Sequence, residues 1–179
     1  MDQEQQPDPN LGAELRQTAG AEWAAEAAED ERLTEVLRRR RLTLGDIAKE
    51  MANRGERISV EFGGHSFTGA IIGAGSDYVT IQGPGQFAQV RLERARWSIL
   101  NADGPPVEPA NIAESFRAAL HEHATAETTI RLSLDRGDMV IGKITVVAAD
   151  HLEIADVDNR RIYIPMKIVL GTIRSIDSQ

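Results

Sequence analysis

The chain has 179 residues, 41% of them apolar, a formal net charge of −8 and no cysteine. That apolar content suffices for one domain or two small ones, and the missing thiols exclude a disulfide framework and a thiolate metal site. No apolar run approaches the length of a membrane span and the acidic, amide-rich start does not resemble a signal peptide, so a cytoplasmic protein without membrane contact is expected.

Residues 1–12 are polar, carry Pro7 and Pro9, and read as a disordered tail. Residues 13–42 read as an N-terminal helix, rich in alanine and glutamate, free of proline and interrupted only by Gly20. Its large apolar side chains are Trp23, Leu33, Val36 and Leu37, the last three at helical spacing. They form either a packing face or a stripe for a partner or a second copy. Arg38, Arg39, Arg40 and Arg41 close the helix, where cations suit the negative end of the macrodipole. Contact with phosphate or an acidic partner is the other reading of that run.

Residues 43–101 begin with Thr43 and Asp46, a capping-box-like start to a short helix with Ile47 and Met51 on one face. Gly55 is its expected stop. Ile58, Val60 and Phe62 then alternate with polar residues as in a half-buried strand. Phe67 to Ile71, Val79 to Ile81, Val90 to Leu92 and Trp97 to Ile99 mark four more strands. Residues 102–110, with three prolines, read as a linker. In residues 111–179 the order recurs: a helix over Asn111–His123 with Ile112, Phe116 and Leu120 on one stripe, then strands around Leu132, Ile144, Ile154, Ile164 and Ile173.

The recurrence is detailed. The stretch GHSFTGAIIGAGSDYVTI from Gly64 to Ile81 is matched 73 positions later by GDMVIGKITVVAADHLEI. Glycines fall at Gly64/Gly69 and Gly137/Gly142, aspartates at Asp77/Asp150, final isoleucines at Ile81/Ile154. Glycine inside a strand permits a sharp bend, and bent short strands hide their edges by closing. The expected fold is mainly β with helices: two tandem small barrels, each a short helix plus five bent antiparallel strands, preceded by the N-terminal helix.

This pattern resembles the Sm-like fold over Thr43–Leu100 and Asn111–Ile176, and the paired layout is similar to two-barrel proteins of high-GC bacteria, from which no activity carries over. Sm-like proteins bind single-stranded RNA through an aspartate followed three residues on by asparagine, and through a basic residue followed by glycine. Here Asp77 precedes Thr80, Asp150 precedes Glu153, and the second motif is replaced by Glu93-Arg94-Ala95-Arg96 and Pro165-Met166-Lys167. Asp77 and Asp150 therefore read as turn residues bonding local amides. The resemblance also implies open edges at the fourth and fifth strands, which two linked units would satisfy mutually or by pairing with another copy.

Charge weighs against a general grip on phosphates, because the repeats are neutral and the acid lies in the segments around them. Arg57, Arg91, Arg94 and Arg96, with Arg38–Arg41, are the arginines that single-stranded RNA or DNA binding would use. His121 and His123 stand two apart, a spacing that does not face two ligands to one metal on a helix. No catalytic constellation is present. The expectation is a non-catalytic interaction or scaffold protein that binds a protein partner or itself and needs no cofactor, with nucleic-acid binding as the alternative. A small-molecule site between the two units would require a pocket lined by converging polar groups.

Overall fold

The computed structural model describes residues 9–101, 110 and 112–176, with side chains from residue 20 onward except residue 101. Two compact units are present, residues 1–42 and 43–179. The first is a single helix, α1 (Pro9–Arg41). It starts inside the expected tail, whose remainder lies outside the described residues, as does nearly all of the expected linker.

In the second unit, α2 (Leu44–Arg54) is held by a capping box between Thr43 and Asp46 and ends at Gly55 in the left-handed region. The strands β1 (Arg57–Phe62), β2 (His65–Ala74), β3 (Tyr78–Gly83), β4 (Gln86–Arg91) and β5 (Arg96–Asn101) follow. The second set is α3 (Phe116–Thr125), β6 (Thr129–Leu134), β7 (Met139–Val147), β8 (His151–Asp156), β9 (Arg161–Pro165) and β10 (Val169–Ser175). A 3-10 turn joins the last two strands of each set, at Leu92–Arg94 and Met166–Ile168. The α3 helix begins five residues later than the sequence pattern suggests. Ser115 is its N-cap, accepting the Ala118 amide, and the residues before it run against the first set of strands.

The expectation of two closed barrels is corrected. All ten strands form one continuous antiparallel sheet in the order β5-β1-β2-β3-β4-β10-β6-β7-β8-β9. Neither set pairs its fourth strand with its own fifth. Instead β4 of the first half pairs with β10 of the second, Val90 opposite Gly171 and Phe87 opposite Arg174. Gly171 permits this approach, since a Cβ there would stand 2.6 Å from the Gln89 carbonyl oxygen. Closure and fusion satisfy the same edge groups, and here fusion does so.

The duplication itself holds in detail. A Cβ on Gly69 would collide with the Gln82 carbonyl oxygen, and one on Gly142 with that of Ala155, the equivalent position in the partner strand. The register slips by one residue after Ile71 in β2 and after Ile144 in β7, the same bulge twice. Gly64 and Gly137 both take positive φ in the turns before these strands.

Two apolar cores result, and each borrows from the other half. The first gathers Ala48, Ile58, Val60, Ile71 and Ile81 around Leu170 and Ile173 of β10. The second gathers Phe116, Leu120, Ile130, Leu132 and Ile154 around Tyr78 of β3. The halves are thus one folding body rather than beads on a linker.

Candidate functional site

The N-terminal helix displays its stripe to solvent: Trp23 is 76% exposed, and Leu33, Val36 and Leu37 are exposed too. Of the four arginines at its end, Arg38 and Arg39 are taken up by Glu35, at 2.8 and 2.7 Å. These two guanidinium groups push the Glu35 carboxyl down to about 2. Arg40 and Arg41 are exposed.

Of the strand arginines, Arg94 and Arg96 line one hollow with Glu61 and His65, and Arg91 lines another with Arg117 and Lys167. Arg57 is exposed at the start of β1, whereas Arg96 bonds Glu61 at 2.6 Å farther along the same strand. Arg91 and Arg94 turn toward the second 3-10 turn. Arg91 bonds Glu93 at 2.8 Å, and Arg94 donates to the Lys167 carbonyl at 3.1 Å. Arg94 thereby links the two halves, as does a longer contact of 3.5 Å from Arg91 to the Met166 carbonyl, while the Arg91 Nε donor is buried without a partner among the described residues.

Asp77 and Asp150, equivalent in sequence, have different neighbours. Asp150 is exposed and bonds the adjacent His151 ring at 2.7 Å. Asp77 accepts the Phe116 amide at the start of α3 rather than a local one. Beside it Ser76 donates to the Glu114 carbonyl, and the Tyr78 hydroxyl donates to that of Ala113, both at 2.9 Å. Burial, reinforced by the Glu122 carboxylate, raises the Tyr78 phenol to about 12.

These contacts fix the start of α3, which packs chiefly against β7 and reaches β4 where His123 meets Gln89. There a cleft of about 320 Å³ opens, at the small end of ligand-site volumes. Ile72, Phe87 and Ile112 supply apolar wall. In its depth His123 Nε2 lies 2.7 Å from Gln89 Oε1, and the Thr172 hydroxyl donates to the same oxygen at 3.2 Å. An amide oxygen only accepts, so His123 carries its proton on Nε2 and keeps a lone pair on Nδ1. Burial, with the Arg174 guanidinium nearby, pushes His123 down to about 4, so the ring is neutral at physiological pH. Arg174 lies over the Phe87 ring, 5.4 Å from its centroid. Buried Thr80 lines the same cleft, its hydroxyl close to the Tyr78 phenol but in no well-formed hydrogen bond.

Sequence reasoning missed this constellation. His123 stood there as half of a pair with His121, yet His121 is exposed and His123 buried. The available signal was spacing, because Phe116, Leu120 and His123 continue one helical stripe into the core. Gln89, Thr172 and Arg174 carry no comparable signal in the sequence. Among the described residues no group of three His, Asp or Glu side chains is arranged to hold a metal ion, and no helix is long and apolar enough to cross a membrane.

At its two ends the sheet leaves β5 and β9 paired on one side only among the described residues. Ile99 and Leu100 on β5 and Tyr163 on β9 are large apolar side chains more than half exposed. No protein-family model matches the sequence, and no curated protein matches it either.

Proposed function

We propose that this chain is a non-catalytic interaction protein, a fused pair of Sm-like units that assembles with copies of itself through the outer sheet edges. The Sm-like reading is supported by the strand order five-one-two-three-four within each half, the short preceding helix and the glycine-bent second strand. The observation that carries the assembly is the β4–β10 joint, in which the fourth strand of one half pairs with the fifth of the other. The unused counterparts are β9, a fourth strand, and β5, a fifth strand. They differ from each other, so their pairing is head to tail and generates a ring or a filament rather than an isologous dimer. Unpaired edge groups with exposed apolar side chains favour such strand addition.

Size-exclusion chromatography with light scattering tests this on the full chain. The wild type is expected to exceed monomer mass as concentration rises, and Ile99→Lys on β5 or Tyr163→Lys on β9 to reduce it. Mixing the two variants restores one competent edge from each and gives dimers that grow no further. A wild type that stays monomeric at the highest soluble concentration ends the proposal.

A further inference from the structure

The cleft over the joint has a chemistry of its own, remote from the sheet edges invoked above. We propose that it binds a small organic carboxylate with an apolar, preferably aromatic, body, the carboxylate meeting Arg174 and the side-chain amide of Gln89 while the body packs against Phe87, Ile72 and Ile112.

Four observations support that class of ligand. First, Arg174 is half-buried, lies over Phe87, and has no carboxylate partner among the described residues. A guanidinium held this way offers a fork of donors matched to two carboxylate oxygens. Second, Gln89 Oε1 is occupied by His123 and Thr172, which fixes the amide so that Nε2, with no partner among the described residues, is presented as a donor. Third, Thr80 is 94% buried and its hydroxyl has no well-formed bond, an arrangement that costs free energy until a ligand or water satisfies it. Fourth, Ile72, Phe87 and Ile112 form an apolar part of the wall, which a purely polar anion would leave uncovered.

One group opposes an anion, the Glu122 carboxylate at the cleft wall. It is exposed and therefore well solvated and screened, whereas the charge of Arg174 is partly withdrawn from water. The neutral His123 ring adds no charge of either sign and contributes an acceptor at Nδ1. Donors thus outnumber acceptors, which selects an acceptor-rich head group. A primary amine with the same body would meet Arg174 as a like charge.

The test is a titration of the ¹⁵N-labelled full chain with phenylacetate, phenethyl alcohol and phenethylamine, read by NMR at the Gln89 side-chain amide and the His123 ring nitrogens. Phenylacetate is expected to shift these resonances saturably, with the alcohol and the amine weaker by about tenfold or more, the worth of one charge-assisted hydrogen bond. Arg174→Gln should weaken phenylacetate by a similar factor. Ala126→Phe, which fills the mouth from an exposed position, should abolish binding without touching the polar groups. Arg40→Gln on α1 should change nothing. Absence of a saturable shift, equal response to all three probes, or an unaltered titration in Arg174→Gln overturns the assignment.

Discussion

Asp77 Oδ1 accepts the backbone N–H of Phe116 at 2.7 Å, across 39 residues of chain. A turn in the first half thereby supplies a cap to the helix of the second. Capping carboxylates are worth roughly 1–2 kcal/mol, and this one also fixes a helix that lines the cleft. Asp77→Ala is expected to lower the unfolding free energy by that amount, read as a lower urea midpoint at unchanged slope. Asp150→Ala, at the equivalent exposed position, should stay within about 0.5 kcal/mol of wild type. Equal losses in the two variants would show that the cap contributes nothing.

Gly69 and Gly142 face the backbone of the neighbouring strand too closely for a side chain. Gly69→Ala and Gly142→Ala should each destabilise by about 1–3 kcal/mol through overpacking, and by similar amounts because their surroundings correspond. Gly20 offers the contrast, since a Cβ there would meet nothing within 4 Å. Gly20→Ala should instead raise the helicity of α1, with a local gain of about 1 kcal/mol. Thermal unfolding and circular dichroism separate the two kinds of effect.

His123 titrates at about 4 in the folded protein against an ordinary 6.5, mainly because burial disfavours its charged form. The unfolded chain therefore takes up a proton that the folded one refuses between those values. Stability is full above the unfolded pKa and falls as pH drops through the window, by roughly 3 kcal/mol at most. Arg174 opposes protonation and the exposed Glu122 carboxylate does little to favour it. Urea unfolding between neutral pH and about pH 4 should show this slope in the wild type and lose it in His123→Gln. The same slope in both proteins would exclude a buried neutral imidazole as its source.

Glu127 occupies the position after α3 that Gly55 occupies after α2, with φ of 49° against 66°. Glutamate pays a steric penalty in the left-handed region that glycine does not. Its exposed pairing with Lys143 at 3.9 Å offers little in return. Glu127→Gly is expected to stabilise by about 1 kcal/mol, raising Tm by about 2–4 °C for a domain of this size. An unchanged or lower Tm would contradict it.

How legible this was in the sequence depends on whether side chains or backbone groups carried the information. Ile58, Val60 and Phe62 announce their strand because alternate side chains meet the core, and all three are buried. Gly69 and Gly142 announce the duplication because close backbone approach demands glycine. The choice between closing each half and joining the two is made by edge N–H and C=O groups, which every residue but proline carries alike. Phe87 and Gln89 alternate as strand residues should, and nothing local says that Arg174 of β10 will lie over one and His123 of α3 against the other. The reach of Asp77 was hidden for the same reason: it depends on where the segment before Phe116 lies, not on the turn around Asp77. Arg57 and Arg96 were legible as exposed, but the partial burial of Arg91 and the bond from Arg94 to the opposite half were not.

Tyr78 completes the hydrophobic interior of the half it does not belong to, and Leu170 and Ile173 do so in the opposite direction. A duplicated gene segment can ordinarily be trimmed back to a single copy. Here that route is closed, because either copy alone would be born with a hole where its sibling's side chains had been. Whatever selection acts on this protein must act on both copies at once, and a change on one side of the seam invites its compensation on the other.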